Sequence, residues 1–168
     1  MSLPPARALA GFFLLLLLAA GLQTTLAPRL VLLGGQPDFV FAVAITACLL
    51  ADAGIGALAG CAAGLITAAL VGDTVGTLIV SRTLAGFAAG LLGARLFRAN
   101  LLVVLAGAFA ASLFAHGVYA LSAPVVFARG GGGSAYGVLT GAAGNVLIVL
   151  PVALLLRRLG WTPEREAT

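Results

Sequence analysis

The chain has 168 residues, of which 62% are hydrophobic and only 8% are charged, and its formal net charge at pH 7 is +4. Soluble domains carry roughly 25% charged residues, so this composition excludes an ordinary soluble domain and predicts one integral-membrane domain over residues 1–168. The long unbroken apolar runs favour helices, because the strands of a membrane barrel alternate apolar and polar residues. The basic residues are all arginines, scattered at the ends of these runs, a pattern that predicts a lipid bilayer and no nucleic acid as partner.

Six apolar runs follow one another along the chain and predict an all-α membrane protein, a bundle of about six transmembrane helices, some of them short. A helix needs about 20 residues to cross the hydrocarbon core. The first run is long for a secretory signal peptide, which is the alternative interpretation of an apolar segment after Arg7. The second run is short, and Asp52 marks the turn between it and the third. The predicted spans are residues 8–26, 39–51, 55–71, 77–97, 101–122 and 135–156.

The distribution of arginines predicts the orientation of these spans. Six spans place both termini on one side of the membrane. That side then carries Arg7, Arg95, Arg98, Arg157, Arg158 and Arg165, whereas Arg29 and Arg129 lie in loops on the opposite side. The positive-inside rule assigns the more basic side to the cytoplasm. We therefore expect a multi-pass protein of the bacterial inner membrane with both termini cytoplasmic and a cytoplasmic tail over residues 157–168.

Glycines recur at four-residue spacing in three of the predicted spans. Helices in lipid associate by close approach of small residues, since burial of apolar surface drives them together only weakly. These glycines therefore predict packing faces, either between helices of this chain or toward the membrane helix of a partner. The candidate positions are Gly56, Gly60 and Gly64 in the third span, Gly86 and Gly90 in the fourth, and Gly137 and Gly141 in the sixth.

Two charged residues within or beside the spans are candidates for function, because ionisable groups inside a membrane are costly. Asp52 is either a hydrated turn residue or a functional group on the face that carries Gly56. Arg82 lies about one and a half turns into the fourth span. Its side chain is expected either to extend to the membrane surface or to pair with Asp73.

The fifth and sixth spans contribute uncharged polar candidates. His116, Ser112 and Tyr119 share one side of the fifth span and form either a proton or ligand site or a cluster of hydrogen bonds between helices. Asn145 in the sixth span is expected to form an interhelical hydrogen bond. We find no enzyme, metal or cofactor motif, and Cys48 and Cys61 are interpreted as small packing residues.

An ordered set of motifs spans roughly residues 8–97. Gln23 lies near the end of the first span, Pro37 and Asp38 open the second, and the third is rich in glycine. Gly72 and Gly76 then flank the turn into the fourth span. In this order the motifs resemble the rod shape-determining protein MreD family. Two departures from the family pattern are Thr67-Ala68-Ala69-Leu70, where Leu-Asp is frequent, and Asp52, where basic residues are frequent.

The resemblance implies a non-enzymatic membrane scaffold of the bacterial cell-elongation complex. Such a scaffold binds an MreC-like membrane protein and supports rod shape and lateral peptidoglycan synthesis. The resemblance also implies a fold similar to the substrate-binding subunits of energy-coupling-factor transporters. An alternative function is therefore a vitamin- or small-molecule-binding subunit of that transporter type. Its candidate ligand residues are Gln36, Asp38, Arg82, His116, Tyr119 and Asn145. A third hypothesis is an ion or proton pathway through Asp52, Arg82 and His116.

Overall fold

The structure is a computed structural model that describes residues 4–31, 34–72, 75–95, 100–122 and 135–161. Over these ranges it is all-α with six helices, which confirms the predicted class. The helices are α1 (Ala6–Thr25), α2 (Phe39–Leu50), α3 (Ala53–Val71), α4 (Val75–Arg95), α5 (Leu101–Ser122) and α6 (Ala135–Arg158), and a 3₁₀ turn over Ala27–Arg29 follows α1. Each helix begins and ends within two residues of the matching apolar run.

Five of these helices are long and apolar enough to cross a membrane, namely α1, α3, α4, α5 and α6. The protein is therefore a multi-pass membrane protein. Helix α2 is different, because its 12 residues reach only about 18 Å, whereas the hydrocarbon core is about 30 Å thick.

Helix α2 forms the centre of the bundle. All of its residues from Phe39 to Leu50 are buried, as expected for a helix that is hydrophobic on every side. The outer helices pack around it: Leu49 lies against Gly93 of α4 and Gly107 of α5. The short second span is thus the core of the protein, and the long helices supply the lipid-facing surface.

The glycines of α3 and α4 face each other. A Cβ atom added to Gly64 would lie 2.6 Å from the Cα of Ile79, and one added to Gly90 would lie 2.6 Å from the carbonyl oxygen of Asp52. Gly60 is in similar contact with the backbone of Arg82. These two glycine faces lie against each other within one chain and are covered there.

The glycines of α6 lie against the segment that leads into α2. A Cβ atom added to Gly141 would lie 3.1 Å from the carbonyl oxygen of Gln36. Gly35 is closer still, since a Cβ atom there would collide with the backbone of Gly137 and Gly141. Close contact with α6 therefore lets non-helical backbone enter the bundle beside α2.

The end of α6 departs from the predicted tail. Gly160 adopts φ +85°, and the amide of Trp161 donates to the carbonyl of Leu156 at 2.9 Å, as in a Schellman helix end. The Trp161 side chain is only 2% exposed, and its indole donates to the carbonyl of Ala47 at 3.1 Å. Residues 157–161 therefore belong to the bundle, and residues 162–168 lie outside the described ranges.

Candidate functional site

The start of α2 lies deep in the bundle. Its neighbour on α4 is Arg82, seven positions after the first residue of that helix, and its neighbour on α6 is Asn145, ten positions after the first. With a rise of about 1.5 Å per residue, these positions lie about 10 and 15 Å along their helices. The amides in the first turn of α2 therefore lie within the bundle, where they need hydrogen-bond partners from the protein.

Side chains of three helices satisfy these amides. The amide of Phe39 donates to Gln23 Oε1 of α1 at 2.7 Å, and the amide of Asp38 donates to Asn145 Oδ1 of α6 at 2.7 Å. Asp38 itself is the N-cap residue, because its Oδ1 accepts from the amide of Phe41 at 2.9 Å. Three of the amides that a helix start leaves open thus have side-chain partners within the protein.

Asp38 and Arg82 form an ion pair beside this cap. The guanidinium also donates to the Thr67 hydroxyl and, at 3.2 Å, to the carbonyl of Ala63, and it lies 5.4 Å from the ring centroid of Phe41. Arg82 is only 7% exposed, so its side chain does not extend to the membrane surface as the sequence suggested.

The other suggested partner of Arg82, Asp73, lies outside the described residues. The ion pair with Asp38 joins two residues 44 positions apart, and local spacing along the chain gives no sign of such a pairing.

Asn145 continues the network toward α5. Its Nδ2 donates to the Ser112 hydroxyl at 3.2 Å, and both residues are buried. Hydrogen bonds and the ion pair together connect all six helices at this depth, through Gln23, Asp38, Thr67, Arg82, Ser112 and Asn145. Among the described residues, every buried side-chain nitrogen or oxygen has a hydrogen-bond partner, so the network is closed.

The structure does not assemble the suggested site around His116. The imidazole is exposed and its Nδ1 donates to the backbone carbonyl of Ser112 at 2.9 Å, whereas the Ser112 hydroxyl turns inward to Asn145. Tyr119 is half-buried on the same helix. His116 therefore lies on the surface of α5, outside the polar network.

Asp52 is likewise separate from the network. Its Oδ1 accepts from the amide of Ile55 at 2.9 Å and caps α3, at the opposite end of α2 from Arg82. The three groups suggested for a proton pathway, Asp52, Arg82 and His116, thus occupy a turn, the interior and the surface.

Sequence reasoning missed Thr67, the hydroxyl of Ser112 as the partner of Asn145, and Trp161. Only Trp161 left a usable signal, since a large apolar residue directly after Gly160 is typical of a Schellman end. Hydroxyl partners such as Thr67 depend on how α3 and α4 face each other, which one chain segment does not reveal.

The donors and acceptors of this site bond to one another's helices around the start of α2. Within the described ranges, no group of three His, Cys, Asp or Glu side chains is placed to hold a metal ion. The ionic and amide groups hold the start of a short helix inside the bundle. Comparison of the chain with protein-family models, with curated proteins and with solved structures gives no match.

Proposed function

We propose that this protein is a non-enzymatic membrane scaffold of the bacterial cell-elongation complex, which binds an MreC-like partner and supports rod shape and lateral peptidoglycan synthesis. The observation that carries the proposal is the hydrogen bond from the amide of Phe39 to Gln23, at the start of α2 directly after Pro37-Asp38. These are residues through which the sequence resembles the MreD family. Motif residues from separate parts of the chain thus contribute to one structural feature, the start of α2.

The closed polar network supports a scaffold as the function. A scaffold needs a rigid body whose outer faces and turns are available to partners. Here Asp38, Arg82 and Asn145 bond to one another's helices and hold the bundle together. The small-residue faces of α3 and α4 are covered internally, which leaves the exposed helix faces and the turns as docking surface.

The proposed setting is the inner membrane, with both termini in the cytoplasm. The arrangement of arginines supports this orientation by the positive-inside rule. In that orientation the polar network lies toward the periplasmic side and Trp161 toward the cytoplasm. A tag on either terminus that reacts only with reagents outside the cell would refute it.

Purification in a mild detergent tests the scaffold. We expect a membrane-anchored, coiled-coil MreC-like protein to co-purify with the tagged protein. Depletion of the scaffold protein itself should make rod-shaped cells round. The matched control is the same purification from cells that lack the MreC-like gene. Recovery of an energising ATPase module, with no MreC-like protein, would contradict the proposal.

A second candidate function is a substrate-binding subunit of an energy-coupling-factor transporter. The convergence of polar side chains from all six helices at one depth favours it. A panel of vitamins in a thermal-shift assay separates the two functions, because a transporter subunit is stabilised by one member of the panel. A scaffold melts at the same temperature with every member.

A further inference from the structure

A lateral groove separates α1 from α6 and reaches the central helix. Its volume is about 450 Å³ and its lining is apolar, with walls that include Leu18 and Leu147 and a floor that includes Val43. Leu18 and Leu147 are 59% and 69% exposed, whereas Val43 is 3% exposed. The groove therefore opens at the lipid-facing surface and ends at the buried core.

We propose that this groove binds one acyl chain of an anionic phospholipid, whose phosphate is held by Arg29. The lipid belongs to the leaflet on the side of the bundle where α1 ends. This site goes beyond the proposed scaffold function, because binding of a lipid there needs no partner protein.

The dimensions of the groove select a hydrocarbon chain. A helix with its side chains is about 10–12 Å wide. A helical segment that filled the length of this groove would therefore need well over the 450 Å³ that the groove offers. The exposed atoms of the lining are almost all carbon, which suits contact with an acyl chain. An occupant is required, because Val43 and Phe39 would otherwise lose their dispersion contacts on the groove side.

The position of Arg29 selects a lipid with a negative headgroup. Leu26 and Leu30 line one end of the groove, and the 3₁₀ turn Ala27–Arg29 lies between them. Residues three positions apart eclipse in a 3₁₀ helix, so Arg29 lies on the same side as Leu26. Arg29 is exposed, and within the described residues its guanidinium forms no ion pair. An arginine at the membrane surface attracts anionic headgroups.

Photolabelling in nanodiscs tests the site. The probe is phosphatidylglycerol with a diazirine in its acyl chain, and the adducts are located by mass spectrometry. We expect adducts to concentrate on groove residues such as Val43 and Ile148. Leu14, which is 69% exposed and outside the groove, reports ordinary contact with bulk lipid.

A matched pair of variants sharpens the test. Leu147→Trp places a large ring at the groove mouth, and Leu14→Trp adds the same ring at a position of equal 69% exposure. We expect the first to lower labelling of Val43 severalfold and the second to leave it unchanged. Arg29→Gln is expected to lower labelling by phosphatidylglycerol roughly fivefold and to lower labelling by a diazirine phosphatidylcholine less, because the choline cation offsets the charge of its phosphate.

Three results would overturn the proposal. If Val43 and Leu14 are labelled equally per exposed area, the groove contacts bulk lipid only and has no bound lipid of its own. Equal loss in the two tryptophan variants, with unchanged melting temperatures, means that the groove is not the binding site. Protection of the groove by a co-purified protein, in place of lipid adducts, identifies a different occupant.

Discussion

Asp38 and Arg82 form an ion pair at the start of the shortest and most buried helix of the bundle. The pair fixes α2 to α4, and the further bonds of Arg82 to Thr67 and to the carbonyl of Ala63 include α3. A charge inside a membrane is tolerated where a partner and hydrogen bonds surround it. The ion pair is thus one reason why a helix of 12 residues, shorter than the hydrocarbon core is thick, has a fixed position in the bundle.

Removing either charge alone should be strongly destabilising. Arg82→Ala leaves the partly buried Asp38 carboxylate without its partner, and we expect a cost of about 3 kcal/mol, at the low end for a buried pair. The free energy of unfolding in a denaturing-detergent titration measures this loss. A variant within about 1 kcal/mol of the wild type would show that water replaces Arg82 at the carboxylate at little cost.

Neutralising both members of the pair should cost less than neutralising Arg82 alone. Arg82→Leu together with Asp38→Asn removes both charges and keeps a cap oxygen on residue 38 for the amide of Phe41. The double-mutant cycle gives the coupling free energy of the pair. Additive losses would mean that the two charges act separately.

Gly60 should tolerate no side chain. Its Cα faces the backbone of Arg82, and a Cβ atom would lie 3.2 Å from the Cα of Thr83, so Gly60→Ala forces α3 and α4 apart. We expect a loss of about 1–3 kcal/mol, typical of overpacking. The matched control is Gly76→Ala in the first turn of α4, where a Cβ atom meets nothing within 4 Å and where the change in stability should be less than about 0.5 kcal/mol. Equal effects at both positions would refute close packing as the cause.

Trp161 should report on the end of the bundle. It is the single tryptophan of the chain, its ring centroid lies 5.0 Å from that of Phe12, and its indole bonds to the Ala47 carbonyl. We expect blue-shifted fluorescence that acrylamide quenches poorly in the folded protein. Trp161→Phe should cost about 1–3 kcal/mol, because it leaves the carbonyl without its donor, and Trp161→Ala about 3–5 kcal/mol. Efficient quenching in the folded state would contradict this burial.

Local sequence signals were sufficient to predict the helices but not the contacts between them. The apolar runs and breaks such as Asp52 and Gly72 gave each helix to within two residues, because composition and caps act over a few positions. The pairing of Asp38 with Arg82 and of Asn145 with Ser112 depends on how distant helices face each other. In a chain with so few polar groups, many pairings satisfy the same local pattern.

The glycine faces show the same limit. Four-residue spacing in α3 and α4 predicted close packing, and Gly56 and Gly86 do lie against each other. The spacing could not distinguish packing within the chain from docking of a partner, because the same small face serves both. In α6 the surface that Gly141 approaches is the backbone of Gln36, a non-helical partner that helix periodicity does not suggest.

Gln23 should stabilise the folded protein mainly through its side-chain oxygen. Its Oε1 accepts from the amide of Phe39 at 2.7 Å, and no other side chain is shown bonding that amide. Gln23→Met keeps the length and loses the acceptor, so we expect a loss of about 1–3 kcal/mol from the unpaired amide. Gln23→Glu keeps an acceptor oxygen at the positive end of α2 and should cost less than Gln23→Met.

The control for Gln23 is Thr25→Val on the same helix. The Thr25 hydroxyl donates to the carbonyl of Gly21 at 2.8 Å and is exposed, so its loss should change stability by less than about 0.5 kcal/mol. Melting temperatures in one detergent rank the three variants. If Gln23→Met ranks with Thr25→Val, the first amide of α2 has found water, and the start of the helix lies nearer the membrane surface than the positions of Arg82 and Asn145 indicate.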